Sequence, residues 1–296
     1  MHPYFAIIIG VLSVAASAIF VKLASAEAGA IAFYRMFFSV LLMLPLFWLK
    51  HRQELRLINW KQWGIMTLSG IFLAFHFILW FESLNYTSVA SSTVLVTLQP
   101  LFAIVGTYLL FKEKITAKTI IAACIAIFGS VLLAWGDVQL GGTALFGDLL
   151  ALLACALISF YMLCGQSVRQ NISSTTYTIN VYAISTVVLA IYMLGKGESF
   201  GPYPGMDWLW FLLLAIVPNL LGHNLFNWAL KYVSANAISI AILFEPVGAS
   251  ILAYFIFSEY LHSSQIIGGI IVLLGIIFYT IDEKKMKKYF RKTIDE

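Results

Sequence analysis

Ten runs of mostly apolar residues, divided by short polar breaks, fill this chain: roughly 4–24, 29–49, 62–84, 87–111, 116–135, 145–166, 175–195, 208–230, 234–257 and 264–281. Each is close to the ~20 residues with which a helix crosses the hydrocarbon layer of a bilayer. The runs are continuous and do not alternate apolar with polar positions, so they predict helices rather than the strands of a membrane barrel. The one cluster of loop-forming residues lies between Gly195 and Gly205, with Pro202 and Pro204, and no linker is long enough to separate soluble domains.

The pattern occurs twice. Leu84, Tyr86, Ser88, Pro100, Tyr108, Phe111, Glu113 and Gly129 recur without a gap, 146 positions on, as Leu230, Tyr232, Ser234, Pro246, Tyr254, Phe257, Glu259 and Gly275. The basic residues do not recur. Lys112, Lys114 and Lys118 surround Glu113, whereas Ser258, Tyr260, Leu261, His262, Ser263 and Ser264 surround Glu259. Cytoplasmic loops collect Lys and Arg. Two similar halves whose matching loops differ in charge are the pattern of an inverted repeat, a common architecture of secondary transporters. Five helices per half is an odd number, so the second half enters the bilayer upside down.

Charge fixes the expected orientation. With the N-terminus inside, 15 of the 18 basic residues fall in cytoplasmic segments: Lys50, Arg52, Arg56 and Lys61; Lys112, Lys114 and Lys118; Arg169; Lys231; and Lys284, Lys285, Lys287, Lys288, Arg291 and Lys292. Lys196 falls in an outer loop, and Lys22 and Arg35 lie near the outer ends of the first two runs. The expected fold is an all-α membrane protein of ten transmembrane helices in two inverted five-helix repeats, residues 1–140 and 141–282. A basic cytoplasmic tail follows over 283–296, and both termini are cytoplasmic.

Composition agrees with this reading. The chain is 61% hydrophobic and 11% charged, against about half and a quarter in a soluble domain. The net charge of +4 owes much to the tail, which suits the anionic cytoplasmic leaflet and not nucleic acid. Cys124, Cys155 and Cys164 lie inside apolar runs. They have neither a disulfide framework nor metal-ligand spacing, and read as small packing residues. Met1-His2-Pro3 has no basic n-region and no cleavage site, so the first run reads as a retained helix.

Polar residues deep in a bilayer are costly and usually face a cavity or a partner. Glu245 stands halfway along the ninth run, before Pro246, which lacks an N–H and predicts a kink. A carboxylate beside a broken helix suits a substrate or proton site; a protonated side chain bonded to a neighbouring helix is the bland reading. The first-half counterpart is Gln99 before Pro100, a matching kink with a neutral side chain. Asn219, His223 and Asn227 are spaced i, i+4, i+8 and share one face of the eighth run. They line a pathway or hydrogen-bond to other helices. His76 and Trp80 share a face of the third run and suit an amphipathic or cationic ligand; core or lipid packing is the alternative. Lys22, Arg35 and Glu82 are candidates for an outer gate, with snorkelling as the alternative for Lys22. Arg35, deeper in its run, suits pairing with a substrate carboxylate. Ser13 and Ser17, the hydroxyls of the fourth run, and Ser234, Asn236 and Ser239 read mainly as helix packing, and Glu113 and Glu259 as helix-end groups. The chain carries no His-Glu-x-x-His, phosphate loop, Gly-x-Ser-x-Gly or paired intramembrane aspartates, so no enzyme, metal or cofactor is expected.

The two segments Pro100 to Glu113 and Pro246 to Glu259 are each followed by a run with a central glycine, Gly129 and Gly275. With Ala32-Phe33-Tyr34-Arg35 and Glu245-Pro246, they resemble the EamA-type transporters of the drug/metabolite transporter superfamily. The resemblance implies a central cavity formed by helices 1, 3, 4, 6, 8 and 9, with helices 5 and 10 peripheral. It also implies export of amino acids or related small metabolites across the cytoplasmic membrane by alternating access. A drug or cation extruder and a lipid-carrier flippase subunit are the alternatives. The expected partners are a small-molecule substrate and the bilayer, with pairing of two copies left open.

Overall fold

The computed structural model describes residues 2–87, 89–135, 142–258 and 263–280. Ser88, Glu259 to His262 and the basic tail from 283 onward lie outside the described residues. Among the described residues the helical pieces group into ten segments, with a short 3-10 turn over Arg52–Leu57 between the second and third. They are α1 (Pro3–Ala15 and Ser17–Leu23), α2 (Ala28–Lys50), α3 (Trp60–Ser83), α4 (Val89–Thr97 and Gln99–Phe111) and α5 (Ala117–Ala134). The second half continues with α6 (Gly142–Val168), α7 (Ser174–Lys196), α8 (Gly205–Leu214, Ala215–His223 and Asn224–Ala229), α9 (Ala235–Ile242 and Glu245–Phe257) and α10 (Ser263–Thr280). Among the described residues there is no strand. Eight segments are long and apolar enough to cross a membrane; α5 and α10 carry shorter apolar stretches, Ala117–Leu132 and Ile266–Tyr279.

Side chains explain several helix starts. Asn59 accepts from the Gln62 amide at 2.9 Å while the Gln62 side chain accepts from the Asn59 amide at 3.0 Å, closing a capping box before α3. Thr116, Ser173 and Ser234 accept in the same way from the amides of Thr119, Thr176 and Ala237. Each such cap contributes about 0.5–2 kcal/mol. The ends of α4 and the second piece of α9 match in detail. Lys112 (φ 55°) and Ser258 (φ 56°), 146 positions apart, both adopt the left-handed conformation that closes a helix.

Helices of the two halves pack against each other: α1 with α8, α2 with α7, α3 with α6 and α5 with α10. The last pair is diagnostic. A Cβ on Gly129 would lie 2.7 Å from the Val272 nitrogen and 2.8 Å from the Gly268 oxygen; one on Gly275 would lie 2.8 Å from the Ala126 nitrogen and 3.1 Å from the Ala122 oxygen. As numbers rise along α5 they fall along α10, so the helices run in opposite senses. A shift of 146 carries Gly129 to Gly275, Ala126 to Val272 and Ala122 to Gly268. The contact therefore maps onto itself with its partners exchanged, as a local twofold relation requires.

Burial follows the rules of lipid, not water. Phe5, Ile8, Leu12, Val187, Ile191 and Leu194 are exposed, whereas Ser39, Ser69, Ser92, Thr97, Ser159 and Ser185 are fully buried. Several of these hydroxyls donate to carbonyls in their own helix, as Ser39 does to Arg35 and Ser159 to Cys155, both at 2.8 Å. Lys50, Lys112, Arg169 and Lys231, at or just beyond the C-terminal ends of α2, α4, α6 and α8, mark the basic end of the bundle. There Gln166 donates to Glu113 at 2.7 Å and accepts from the Ala235 amide at 2.6 Å, joining α4, α6 and α9.

Candidate functional site

The breaks in the helices coincide with polar residues. α1 is interrupted at Ala16, just before Ser17; α4 at Leu98, just before Gln99; and α9 at Leu243 and Phe244, just before Glu245. In α8 the stretch Ala215–His223 winds as a π-helix around Pro218 and contains Asn219 and His223. A proline inside a helix removes a donor, and a π segment absorbs the fault. Irregular backbone at membrane depth is tolerated where protein buries it or where it lines a cavity. Glu245 and Gln99 each open a half-helix, where aligned N–H groups favour an acceptor.

Arg35 is the hub. It lies seven residues beyond the start of α2, about 10 Å along the helix at 1.5 Å per residue, and it is fully buried. Its Nε donates to Asn219 Oδ1 at 2.6 Å and its Nη1 to Ser17 Oγ at 2.8 Å. The guanidinium carbon stands 4.2 Å from the centre of the Phe77 ring and 5.9 Å from that of Phe81. Asn219 is held in turn by donating to Ser39 Oγ at 2.9 Å. Arg35 Nη2 is buried and has no partner. Glu245, Tyr161 and Tyr182 are its electrostatic neighbours.

The other seam residues surround this hub. Phe77 packs on His76 at 4.9 Å and on His223 at 6.0 Å, between ring centres. His76 stacks on Trp80 at 5.8 Å, and its Nδ1 lies 2.9 Å from the Ala154 carbonyl. A carbonyl only accepts, so Nδ1 carries the proton and Nε2 is the acceptor of the neutral ring. His223 also meets Tyr161 edge-on. Asn227 donates to Tyr161 OH at 2.7 Å and to Thr178 Oγ1 at 3.0 Å. Trp80 Nε1, Tyr182 OH, His223 Nδ1 and Asn227 Oδ1 are buried without a partner. The Glu245 side chain, 7% exposed, makes no hydrogen bond with another described residue.

Arg35, His76, Trp80, Asn219, His223, Asn227 and Glu245 thus belong to one seam. Gln99 is buried with its Oε1 unpartnered, and no hydrogen bond, ion pair or ring contact between described residues joins it to the hub. Lys22 and Glu82 stand apart from Arg35. Lys22 is exposed, Glu82 accepts from Asn85 at 3.2 Å, and among the described residues the three form no ion pair. Glu82 lies instead near Glu198 and Glu27, at the end opposite the basic one. Burial, and then Glu27, pushes the Glu198 carboxyl up. Tyr161, Tyr182 and Phe77 are seam residues that sequence reasoning passed over. A tyrosine well inside an apolar run, away from the interfacial belts where tyrosine is ordinarily enriched, was the available signal.

A model of the EamA-like transporter family matches residues 1–135 and again 145–281. The chain belongs to this family. This EamA-like transporter is 25% identical over 274 residues to an uncharacterized transporter of Archaeoglobus fulgidus, covering 92% of this chain and 94% of that one. It is also 25% identical to an S-adenosylmethionine uptake transporter of Rickettsia felis, covering 86% and 83%. A solved crystal structure superposes with a TM-score of 0.79 at 14% identity, over 94% of this chain and 97% of the other. At that identity it speaks for the fold alone. The EamA-like transporter is therefore a multi-pass membrane protein whose two halves each carry the family's pattern.

Proposed function

We propose that this EamA-like transporter is a secondary carrier for a small zwitterionic metabolite of the amino-acid class. In this reading all ten segments cross the cytoplasmic membrane. Residues 1–140 and 141–282 are inverted repeats, both termini are cytoplasmic, and the halves rock about the breaks near Pro100 and Pro246 to open the seam to each side in turn. The antiparallel, self-matching contact of α5 with α10 supports the inversion. One observation carries the choice of substrate: a buried seam holds a guanidinium and a carboxyl group in electrostatic reach but not bonded to each other, beside unpartnered donors and acceptors. A ligand with both a carboxylate and a cationic group answers both, whereas a purely cationic drug leaves the guanidinium unanswered. The Rickettsia relative is named for a substrate of this kind. Direction in a secondary carrier follows the gradients; export is the direction proposed, driven by protons taken up at Glu245.

The test is counterflow in proteoliposomes loaded with single L-amino acids or S-adenosylmethionine. Saturable exchange of at least one zwitterion is expected. Exchange confined to organic cations such as tetraphenylphosphonium, or scrambling of lipid headgroups alone, overturns the reading.

A further inference from the structure

We infer that Arg35 is a built receptor for a carboxylate, taken end-on by Nη1 and Nη2, and that Asn219 is the residue that positions it. The inference deepens the transport reading above, and rests on it, by assigning the acid end of the ligand to one side chain. A guanidinium carries five N–H groups in a planar fork. Here Nε is committed to Asn219 and one Nη1 hydrogen to Ser17, while Phe77 covers one face of the plane. What remains is the outer edge: one hydrogen on Nη1 and both on Nη2, with Nη2 buried and bare. That edge matches the two oxygens of a carboxylate. The side chain cannot swing away, because Asn219 is itself fixed by Ser39 and by the Arg35 carbonyl.

The chemistry favours a monoanion. A phosphate dianion calls for more than one cation, and Arg169, another buried arginine, directs its Nε and Nη1 to the Asn227 and Ile172 carbonyls near the basic end. Glu245 lies in electrostatic reach of Arg35, which penalises a second negative charge further. The same carboxyl is available to a cationic group on the far side of the ligand.

The experiment uses the full chain in lipid nanodiscs and reads the unfolding midpoint against butyrate, benzoate and L-methionine, each paired with its amide. Carboxylates are expected to raise the midpoint with dose and the amides are not. Arg35→Gln should weaken butyrate binding roughly thirtyfold or more, the loss seen when one partner of a buried charge pair is removed. Arg35→Lys keeps the charge but loses the fork, and should also bind more weakly. Asn219→Ala should weaken butyrate about tenfold while leaving the amides inert, a ligand-specific change that loss of packing alone does not produce. Glu245→Gln should tighten butyrate by removing the facing acid. Equal response to acids and amides in the unmodified protein, or butyrate binding that survives Arg35→Gln, overturns the inference. Zwitterion counterflow without a carboxylate response leaves the transport reading standing and ends this one; a carboxylate response without counterflow does the reverse.

Discussion

The crossing of α5 and α10 allows a quantitative trial of the twofold relation. Gly129→Ala places a Cβ 2.7 Å from the Val272 nitrogen, and Gly275→Ala places one 2.8 Å from the Ala126 nitrogen. Ordinary contact begins near 3.4 Å, so each methyl falls short by about 0.7 Å. The obstructing atoms are backbone and cannot rotate aside; the helices must separate. Overpacking of this size costs about 1–3 kcal/mol, offset by up to about 1 kcal/mol of helix propensity gained by alanine. Each single substitution should therefore destabilise by roughly 1–2 kcal/mol. The double substitution is the sharper trial. One separation of the helices relieves both clashes, because both lie at one crossing, so the double variant should cost clearly less than the two singles added. Reversible unfolding in mild detergent measures all three, and counterflow per folded molecule should be unchanged, since neither glycine touches the seam. Neutral single variants, or costs that simply add, would refute the reasoning.

Three further outcomes follow from the geometry. Burial pushes the Glu54 carboxyl up, but hydrogen bonds from Ser173, His51, Thr176 and the Ser173 amide outweigh it and bring the value down to about 2. A folded value below the unfolded value of about 4.3 stabilises above that range and is lost as pH falls towards 2. The difference in unfolding midpoint between the wild type and Glu54→Gln should thus be constant above about pH 5 and shrink in acid; a difference that grows in acid contradicts it. Gln166→Ala leaves the Ala235 amide and Glu113 without their shared partner, a loss of about 1–3 kcal/mol. A cysteine at position 236 should then label faster from the basic end, and an unchanged rate removes Gln166 as a tie. Glu245→Gln should abolish pH-driven flux in proteoliposomes; flux equal to wild type at all pH values takes Glu245 out of the coupling.

Much of the architecture was legible because lipid imposes one simple constraint. A backbone in hydrocarbon must satisfy itself, so runs of apolar residues are helices, and each of the ten segments starts and ends within three residues of its run. The offset of 146 reappears in the backbone itself, in the left-handed Lys112 and Ser258. The seam was less legible. Arg35 reads as an outer-end residue from its position, yet a long side chain starting about 10 Å along a helix reaches the middle of a layer ~30 Å thick. Which way it points depends on Asn219, 184 positions away. The even i, i+4, i+8 spacing of Asn219, His223 and Asn227 also hides different roles. With a π segment underlying the first two, Asn219 serves Arg35, His223 enters a nest of rings, and Asn227 ties α8 to α6 and α7.

The repeat and the chemistry pull in different directions, and the seam shows where they part. A shift of 146 pairs Phe77 with His223, Leu73 with Asn219, Arg35 with Val181 and Gln99 with Glu245. The rings of Phe77 and His223 stand 6.0 Å apart, so these counterparts meet each other near the proposed axis. A seam lined by identical halves would present every group twice and suit a symmetric ligand. Here each polar group faces an apolar or neutral counterpart: one guanidinium, one acid, one imidazole of the pair. In the proposed cycle a nearly symmetric scaffold serves the rocking of the two halves, while the side chains offer one site with two unlike ends. In the proposed reading a bound zwitterion is oriented by charge, its acid end toward Arg35, which Ser17 and Asn219 hold across α1, α2 and α8.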